Sequence, residues 1–511
     1  MLNNKNGEVM REESNIKKNV LFATFTQILT IAFAFIVPKL LINYYGPQIH
    51  GLTNTISSLI SYLTLAESGI GSASVQSLYS PLEKKDYKLV NADLNAIAIF
   101  YHKIGLVFSL LVFAVAFLYP LLASDGLDYW FVFALVLISG IANTVEYFFT
   151  SKYKVLLQAD KKLYVINLIN AVGIFLQGTL RIVFIYLKLS VFIIQLVPAI
   201  VYTTRLIIIS IYVRRTYTYL DKSIKPNFSV GKKRWNVLVH QITNLVVNNT
   251  DNIVLSSFIG YASVSVYGVY NMIVSNISDF LSQALSKAVM ANFGHLFSNG
   301  DKKTICDVYN KYERLYYYII GVIFGICGFS ICPFINLYMN KVNGINYVDN
   351  KLGLLFVIVA VLASVRIPSL TIITAVGHFK ETQNYAIIEA VINIVASVIL
   401  VKVCGIYGVL IGTIISFLYV DIMFIRYVNR FILKRKIMKT VKSTTVLIAV
   451  IGMVVSIGTV CNHFIGMNSW GLWFLTCLIT AVVSLIILLI VVFAFDKSVF
   501  EYTLSMFFKK K

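Results

Sequence analysis

Between His240 and Lys287, ionisable and amide side chains recur on a helical spacing inside otherwise apolar chain. Gln241, Asn244, Asn248, Asp251 and Asn252 share one face of a helix, with His240 at its edge. After a short break, Asn271, Ser275, Ser278, Asp279, Ser282, Gln283, Ser286 and Lys287 form a second stripe. A carboxylate flanked by amide oxygens, as Asp251 is by Asn248 and Asn252, is suited to hold a proton or a Na⁺ ion. A row of amides and hydroxyls is suited to bind a hydroxyl-rich solute. Such groups are costly in hydrocarbon, so the stripes are expected to face other helices or a wet cavity. The pair reads as the lining of a transport pathway, with substrate contacts at Asn244, Asn248, Asn271, Asp279 and Gln283.

A further stripe, Asn54, Ser58, Ser61, Thr64, Ser68 and Ser72, carries Glu67 at its edge. The coupling ion is assigned to Asp251, Glu67 and Asn252. The serines alone also suit close helix packing, and the charged groups also suit buried structural pairs or, for Lys287, snorkelling. Other charges inside apolar runs are Lys39, Asp93, His102, Lys103, Glu146, Arg181, Arg205, Arg314, Arg366, Glu389, Lys402, Asp421 and Arg426. Arg205 and Arg366 lie deepest, beside Pro198 and Pro368, which loosen a helix locally. A guanidinium offers a planar fork of donors that matches phosphate. Arg205, Lys287 and Arg366 are therefore the candidates to hold a pyrophosphate.

These residues need membrane helices to position them. The chain has 511 residues, 58% of them hydrophobic and 13% charged, where a soluble protein carries about 25% charged. Mean hydropathy is +0.78. The net charge of +21 does not imply nucleic acid, because the basic residues cluster in short loops between apolar segments. The six cysteines form no CxxC and have no histidine at metal-ligand spacing, and read as small apolar side chains. The first apolar run is too long for a cleavable signal and is expected to stay as a membrane helix.

Apolar runs of about 20 residues predict an all-α polytopic protein with fourteen transmembrane helices. Their spans are 19–43, 49–80, 90–121, 128–151, 163–187, 190–213, 235–259, 263–296, 305–338, 352–376, 382–403, 406–430, 441–464 and 469–495. Basic loops alternate strictly. The N-tail, the loops near Lys84, Lys152, Lys161, Arg214, Lys302, Lys380 and Lys434, and the C-tail lie on one side, while the other holds only Lys188, Lys341 and Lys351. Both termini are thus expected in the cytoplasm of a cell with the protein in its inner or plasma membrane.

Gln27-Ile28 reappears as Gln241-Ile242, 214 positions later, and at that offset Leu41 meets Leu255 and Gly46 meets Gly260. With three residues inserted, Gly51, Asn54, Ile56, Ser58, Ile60 and Ser61 meet Gly268, Asn271, Ile273, Ser275, Ile277 and Ser278. An offset of six helices gives parallel repeats about a pseudo-two-fold axis along the membrane normal. The expected organisation is an N-tail (1–18), an N-lobe (19–213), a basic linker (214–234), a C-lobe (235–430), two appended helices (441–495) and a C-tail (496–511).

No Walker A, GxSxG or HExxH sequence is present, and no enzyme is expected. The layout resembles the multidrug/oligosaccharidyl-lipid/polysaccharide exporter (MOP) superfamily. The opening FATFTQILTIAFAFIVPKLLINYYG and the following GLTNTISSLISYLTLAESGIGSA are similar to the polysaccharide transporter branch, the Wzx-type flippases. That resemblance implies alternating access and a polyprenyl-diphosphate-linked oligosaccharide, undecaprenyl-borne, moved to the outer leaflet for capsule, O-antigen or exopolysaccharide. It also implies contact with membrane lipid, glycosyltransferase and polymerase as candidate partners, and no cofactor beyond a coupling H⁺ or Na⁺. A monomer is expected. The competing expectations are a twelve-helix multidrug-type exporter of small molecules, a lipid II flippase, and a membrane polymerase or acyltransferase, which would need a large external loop or a cytoplasmic catalytic motif, whereas the longest external loop runs only from about Met339 to Asn350.

Overall fold

The computed structural model describes residues 2–67, 70–122, 126–228, 235–298, 302–340, 342 and 344–496. They are almost entirely helical, with no strand among the described residues. Among the described residues, eleven spans are long and apolar enough to cross a membrane. The difference from the fourteen expected has two causes. The first span, Phe22–Leu63, is 42 residues long, about twice what a bilayer core of ~30 Å needs. It is two helices merged across Gly46, where φ is 85° and ψ 165°. The other cause is polarity. The helices Trp235–Phe258 and Tyr261–Ser298 have 24 and 38 residues, enough in length, but they carry the polar stripes and fall outside the apolar spans.

Two compact units divide the chain at Ser265 and Val266. The first begins with α1 (Leu2–Leu63). At Gly46 a left-handed φ ends one helical stretch, and Pro47, with its fixed φ and missing N–H, opens the next. Gly260, the repeat-related glycine, also has a positive φ of 117° and also separates two helices, so both copies carry the same local break. A 3₁₀ turn (Thr64–Glu67) follows, then α2 (Ile70–Glu83), α3 (Tyr87–Leu122) and α4 (Tyr129–Val145). Next come a π turn (Glu146–Thr150), α5 (Ser151–Ala159), α6 (Leu163–Tyr186), α7 (Val191–Thr216), α8 (Trp235–Phe258) and the first turn of α9 (Tyr261–Ser298). Asp128 caps α4 by accepting from the Phe131 N–H at 2.9 Å.

α1 packs on α6 and α8, and α4 packs on α3 and α7. Phe108, Leu135, Leu156 and Ile209 are wholly buried between them. At Gly51 the backbone of α1 meets the start of α9 so closely that a Cβ would overlap the Tyr261 carbonyl. Large apolar side chains such as Leu110, Phe149 and Ile200 point outward, as a lipid-facing surface requires.

The second unit contains the rest of α9, α10 (Lys302–Tyr338), α11 (Asn350–Val365), α12 (Ile367–Val376), α13 (Phe379–Cys404), α14 (Ile406–Tyr427), α15 (Met438–Ile465) and α16 (Trp470–Phe495). α13 packs tightly on α14, where Gly412 brings the two backbones together at Ser397. α15 and α16 pack on α10, around Val322, Val454 and Leu488. The break between α11 and α12 follows from Pro368 in the first turn of α12, and the Tyr317 hydroxyl donates to the Val365 carbonyl at 3.0 Å.

α4–α5 and α11–α12 share a layout. Each is a helix of 17 or 16 residues, an interruption, then a shorter helix. A charged residue marks each interruption, Glu146 in the first unit and Arg366 in the second.

The loop after α7 is not free. Asn91 donates to the Tyr219 carbonyl at 2.8 Å and accepts from the Asp221 N–H at 2.9 Å. Asn95 donates to the Ile224 carbonyl at 2.9 Å, and Asn227 donates to Asp93 at 2.8 Å. Residues 217–228 are thereby strapped to the start of α3.

Candidate functional site

A cavity of about 590 Å³ opens inside the first unit, among α1, α4, α6 and α7. Polar atoms reach it from His50, Asn54, Asn143, Gln177, Gln195 and Tyr202, and two cations reach it, Arg181 on α6 and Arg205 on α7. Pro198 in α7 lies about two turns before Arg205. The missing N–H and the ring of proline open a helix there.

The two arginines have no carboxylate within ion-pair distance among the described residues, and the Nε atoms of both are buried without a hydrogen-bond partner. Arg205 is held by shape. Its guanidinium lies 4.7 Å from the centre of the Tyr202 ring, and Gly173 leaves room for its aliphatic stem, where a Cβ would collide. A buried cation without a partner is strongly unfavourable. Two on one polar cavity make a site for an anion, to which the guanidinium forks would donate.

Glu146 is the acid whose charge reaches Arg205, and it is already occupied. Lys154 donates to it at 2.5 Å, and the Tyr202 hydroxyl donates to its other oxygen. The π turn places it there, with the Ser151 N–H and hydroxyl closing on the Glu146 carbonyl. π turns inside α-helices recur at functional positions. His50 is buried, with Nδ1 2.8 Å from the Ser265 hydroxyl and Nε2 facing Asn54 at 3.4 Å.

Among the described residues, Arg205 is the one sequence-predicted substrate residue that lines this cavity. Asn244 and Asn248 lie exposed on α8, where Asn248 donates to the Asn244 side chain at 2.8 Å. Of the coupling set, Asp251 is buried on α8 and Asn252 donates to Ser58 on α1 at 2.9 Å. Glu67 sits in the 3₁₀ turn, where the Tyr101 hydroxyl donates to it at 2.9 Å.

The other substrate residues belong to the second unit. Asn271 is half-buried and Asp279 exposed on α9. Arg366 lies 2.6 Å from Glu389 and 3.2 Å from Asp421, beneath the Phe417 ring. Two carboxylates thus surround one guanidinium, which engages Arg366 internally instead of leaving it open to a phosphate. The side chains of Gln283 and Lys287 lie outside the described residues. Among the described residues no group of three or more His, Cys, Asp or Glu converges to hold a metal ion.

Sequence reasoning identified Arg181 as a buried charge but did not select it, and it passed over His50, Gln177 and Gln195. The available signal was Arg181 standing one turn from Gln177 on a helix whose other polar side chains, such as Asn167, Asn170 and Thr179, are uncharged.

No family model and no curated protein matches the sequence. Solved structures share its fold. The chain is similar to an inward-facing MATE multidrug resistance transporter of the MOP superfamily, with a TM-score of 0.61 and 12% identity over 82% of this chain and 95% of that one. It is similar to the lipid II flippase MurJ in an inward closed conformation, with a TM-score of 0.61 and 15% identity over 92% of this chain and 97% of that one. A MOP superfamily transporter from Pyrococcus furiosus matches with a TM-score of 0.52 and 10% identity over 83% of this chain and 97% of that one. The fold is that of MOP superfamily transporters, and the chain is a multi-pass membrane protein.

Proposed function

We propose that the chain is a flippase of the polysaccharide transporter type. It would turn an undecaprenyl-diphosphate-linked oligosaccharide from the cytoplasmic to the outer leaflet of the plasma membrane by alternating access. The observation that carries this reading is the pair of unpartnered guanidiniums, Arg181 and Arg205, on a polar cavity inside an apolar bundle. A diphosphate supplies the missing negative charge, and the amides of Asn54, Asn143, Gln177 and Gln195 suit the first sugars. Two unneutralised positive charges disfavour the cationic solutes of a multidrug exporter. α15 and α16 add apolar surface beside α10 for a polyprenyl tail.

Such a flippase has two lobes (19–213 and 235–430), α8 and α9 as spanning helices, fourteen spans in all, and both termini in the cytoplasm. Arg366 serves an internal ion cluster with Glu389 and Asp421 instead of the diphosphate. Coupling is proposed to run through Glu67 and Asp251. The donors at Glu67 are tyrosine hydroxyls, which suit a carboxylate that exchanges a proton.

The test is reconstitution in proteoliposomes with an undecaprenyl-diphosphate-linked oligosaccharide on one leaflet, read by its accessibility to an added glycosidase. Wild-type protein should expose the substrate on the far side, and Arg181→Gln/Arg205→Gln should not. Transport of a cationic dye with no movement of the lipid-linked sugar would overturn the reading in favour of a multidrug exporter.

A further inference from the structure

A second cavity, of about 350 Å³, lies at the end of the first unit where α3 begins and α7 ends. Its wall includes Lys152 from α5, Arg214 from α7 and Lys222 from the strapped loop. Lys152 is close enough to both Lys222 and Arg214 for the like charges to repel. None of the three forms an ion pair among the described residues. Arg214 donates to the Tyr153 hydroxyl at 3.2 Å, and Lys152 lies 5.1 Å from the centre of that ring. The one acid in the wall, Asp221, is already engaged, since both its oxygens accept from Ser223 at 2.8 Å.

The cavity is built, not incidental to a loose loop. Asn91 and Asn95 on its wall also tie residues 219–224 to α3. Tyr217, another wall residue, donates to Asp160 at 2.5 Å under Lys162. The strapped loop therefore holds Lys222 beside Lys152 and Arg214 against the repulsion of like charges. Apolar side chains flank the strap. Leu89 and Phe228 are exposed, and Tyr87 stacks on Tyr219 with ring centres 4.1 Å apart. Neither Leu89 nor Phe228 lines the cavity itself, but exposed apolar side chains at the strap and at the start of α3 suit a membrane surface better than water.

We infer that this pocket binds the phosphate of an anionic glycerophospholipid headgroup, with Lys152, Arg214 and Lys222 as its cationic ligands and the strapped loop as its floor. The chemistry recognised is a phosphate group. Leu89 and Phe228 favour a lipid over a free phosphate as its source. The site is separate from the Arg181–Arg205 cavity and does not depend on the substrate proposed for it.

The experiment uses the full chain in nanodiscs of phosphatidylcholine, with and without phosphatidylglycerol, and measures lipid retained by native mass spectrometry and the temperature of unfolding. Phosphatidylglycerol should be retained and should raise the unfolding temperature. Arg214→Gln/Lys222→Gln changes two exposed residues, and should lower retention roughly tenfold or more. Lys152→Gln should do the same. Lys84→Gln/Lys85→Gln removes two exposed charges from the neighbouring loop and should leave retention unchanged. Equal losses in both double variants would overturn the pocket, because general surface charge would then explain the binding. Protection by glycerol phosphate alone, equal to that by the lipid, would keep the phosphate site and overturn the lipid source. No effect of phosphatidylglycerol and none of glycerol phosphate would overturn the inference altogether.

Discussion

The guanidinium of Arg205 lies 4.7 Å from the centre of the Tyr202 ring, and the Tyr202 hydroxyl donates to the carboxylate of Glu146. One tyrosine thus stands between an acid and a base, with the acid drawn off by Lys154 at 2.5 Å. The arrangement leaves Arg205 open to an external anion. If Lys154 is replaced, Glu146 keeps the Tyr202 hydroxyl but loses its counter-charge, and its charge is left to act on Arg205 across that ring.

Arg181→Gln and Arg205→Gln should each reduce flipping of a diphosphate-linked substrate by about 10- to 100-fold, the equivalent of one charge-assisted hydrogen bond. Arg205→Lys should recover only part, since it restores the charge but not the fork. Lys154→Gln should also reduce transport, by freeing Glu146 to compete for Arg205. Initial rates in proteoliposomes, at equal amounts of inserted protein, measure all four. Wild-type rates in both arginine variants would end the assignment.

Arg366→Ala should act on stability before transport. It leaves Glu389 and Asp421 buried without a counter-charge, at a cost of about 3–5 kcal/mol. Arg366→Ala/Glu389→Gln/Asp421→Asn should recover most of that loss. Thermal unfolding in detergent provides the comparison. A triple variant no more stable than the single one would mean that the cluster is not what Arg366 serves.

Gly51→Ala should destabilise by about 1–3 kcal/mol, because its methyl group meets the Tyr261 carbonyl, which is backbone and cannot turn away. Gly452→Ala in α15 has nothing within 4 Å of the new methyl and should be neutral or stabilising by up to about 1 kcal/mol. Unfolding temperatures of the two variants should therefore move apart.

Asp349, ahead of α11, has a carboxyl held below its usual range. Burial pushes it up, but the Tyr407 hydroxyl, the N–H groups of Leu352 and Lys351, and the Lys351 charge together outweigh burial. A depressed acid contributes stability above its unfolded value, 3.8, and loses it as pH falls through the lower folded value. The gap in unfolding temperature between wild type and Asp349→Asn should be constant above about pH 5 and close below that value. A gap that persists unchanged into strong acid would contradict this linkage.

Membrane helices were legible because a bilayer demands about 20 apolar residues in a row, and α6, α13 and α16 match their expected spans closely. The repeat led to Gly46 and Gly260, whose shared positive φ came from a local need that glycine advertises. Pro368 announced the break at Arg366. Nothing announced the π turn, since Glu146–Thr150 contains neither glycine nor proline, and its partners Lys154 and Tyr202 come from α5 and α7. Arg181 and Arg205 were both visible as buried charges. What separates them from Arg366 is that no carboxylate lies within ion-pair distance of them among the described residues, whereas Glu389 and Asp421 lie beside Arg366, and neighbours on other helices leave no trace in local spacing.

The interruptions at Glu146 and Arg366 occupy matching places in the two units, and their charges are opposite. Arg205 in α7 and Asp421 in α14 stand at nearly the same depth of the last helix in their series, again with opposite sign. A repeated frame has thus become electrically polarised. In the first unit two guanidiniums face a cavity, and in the second two carboxylates close on one guanidinium. Matching places in the two units thus carry unequal electrostatic designs, and the same neutralising substitution made at both would remove a neighbour of cations in one and a neighbour of carboxylates in the other.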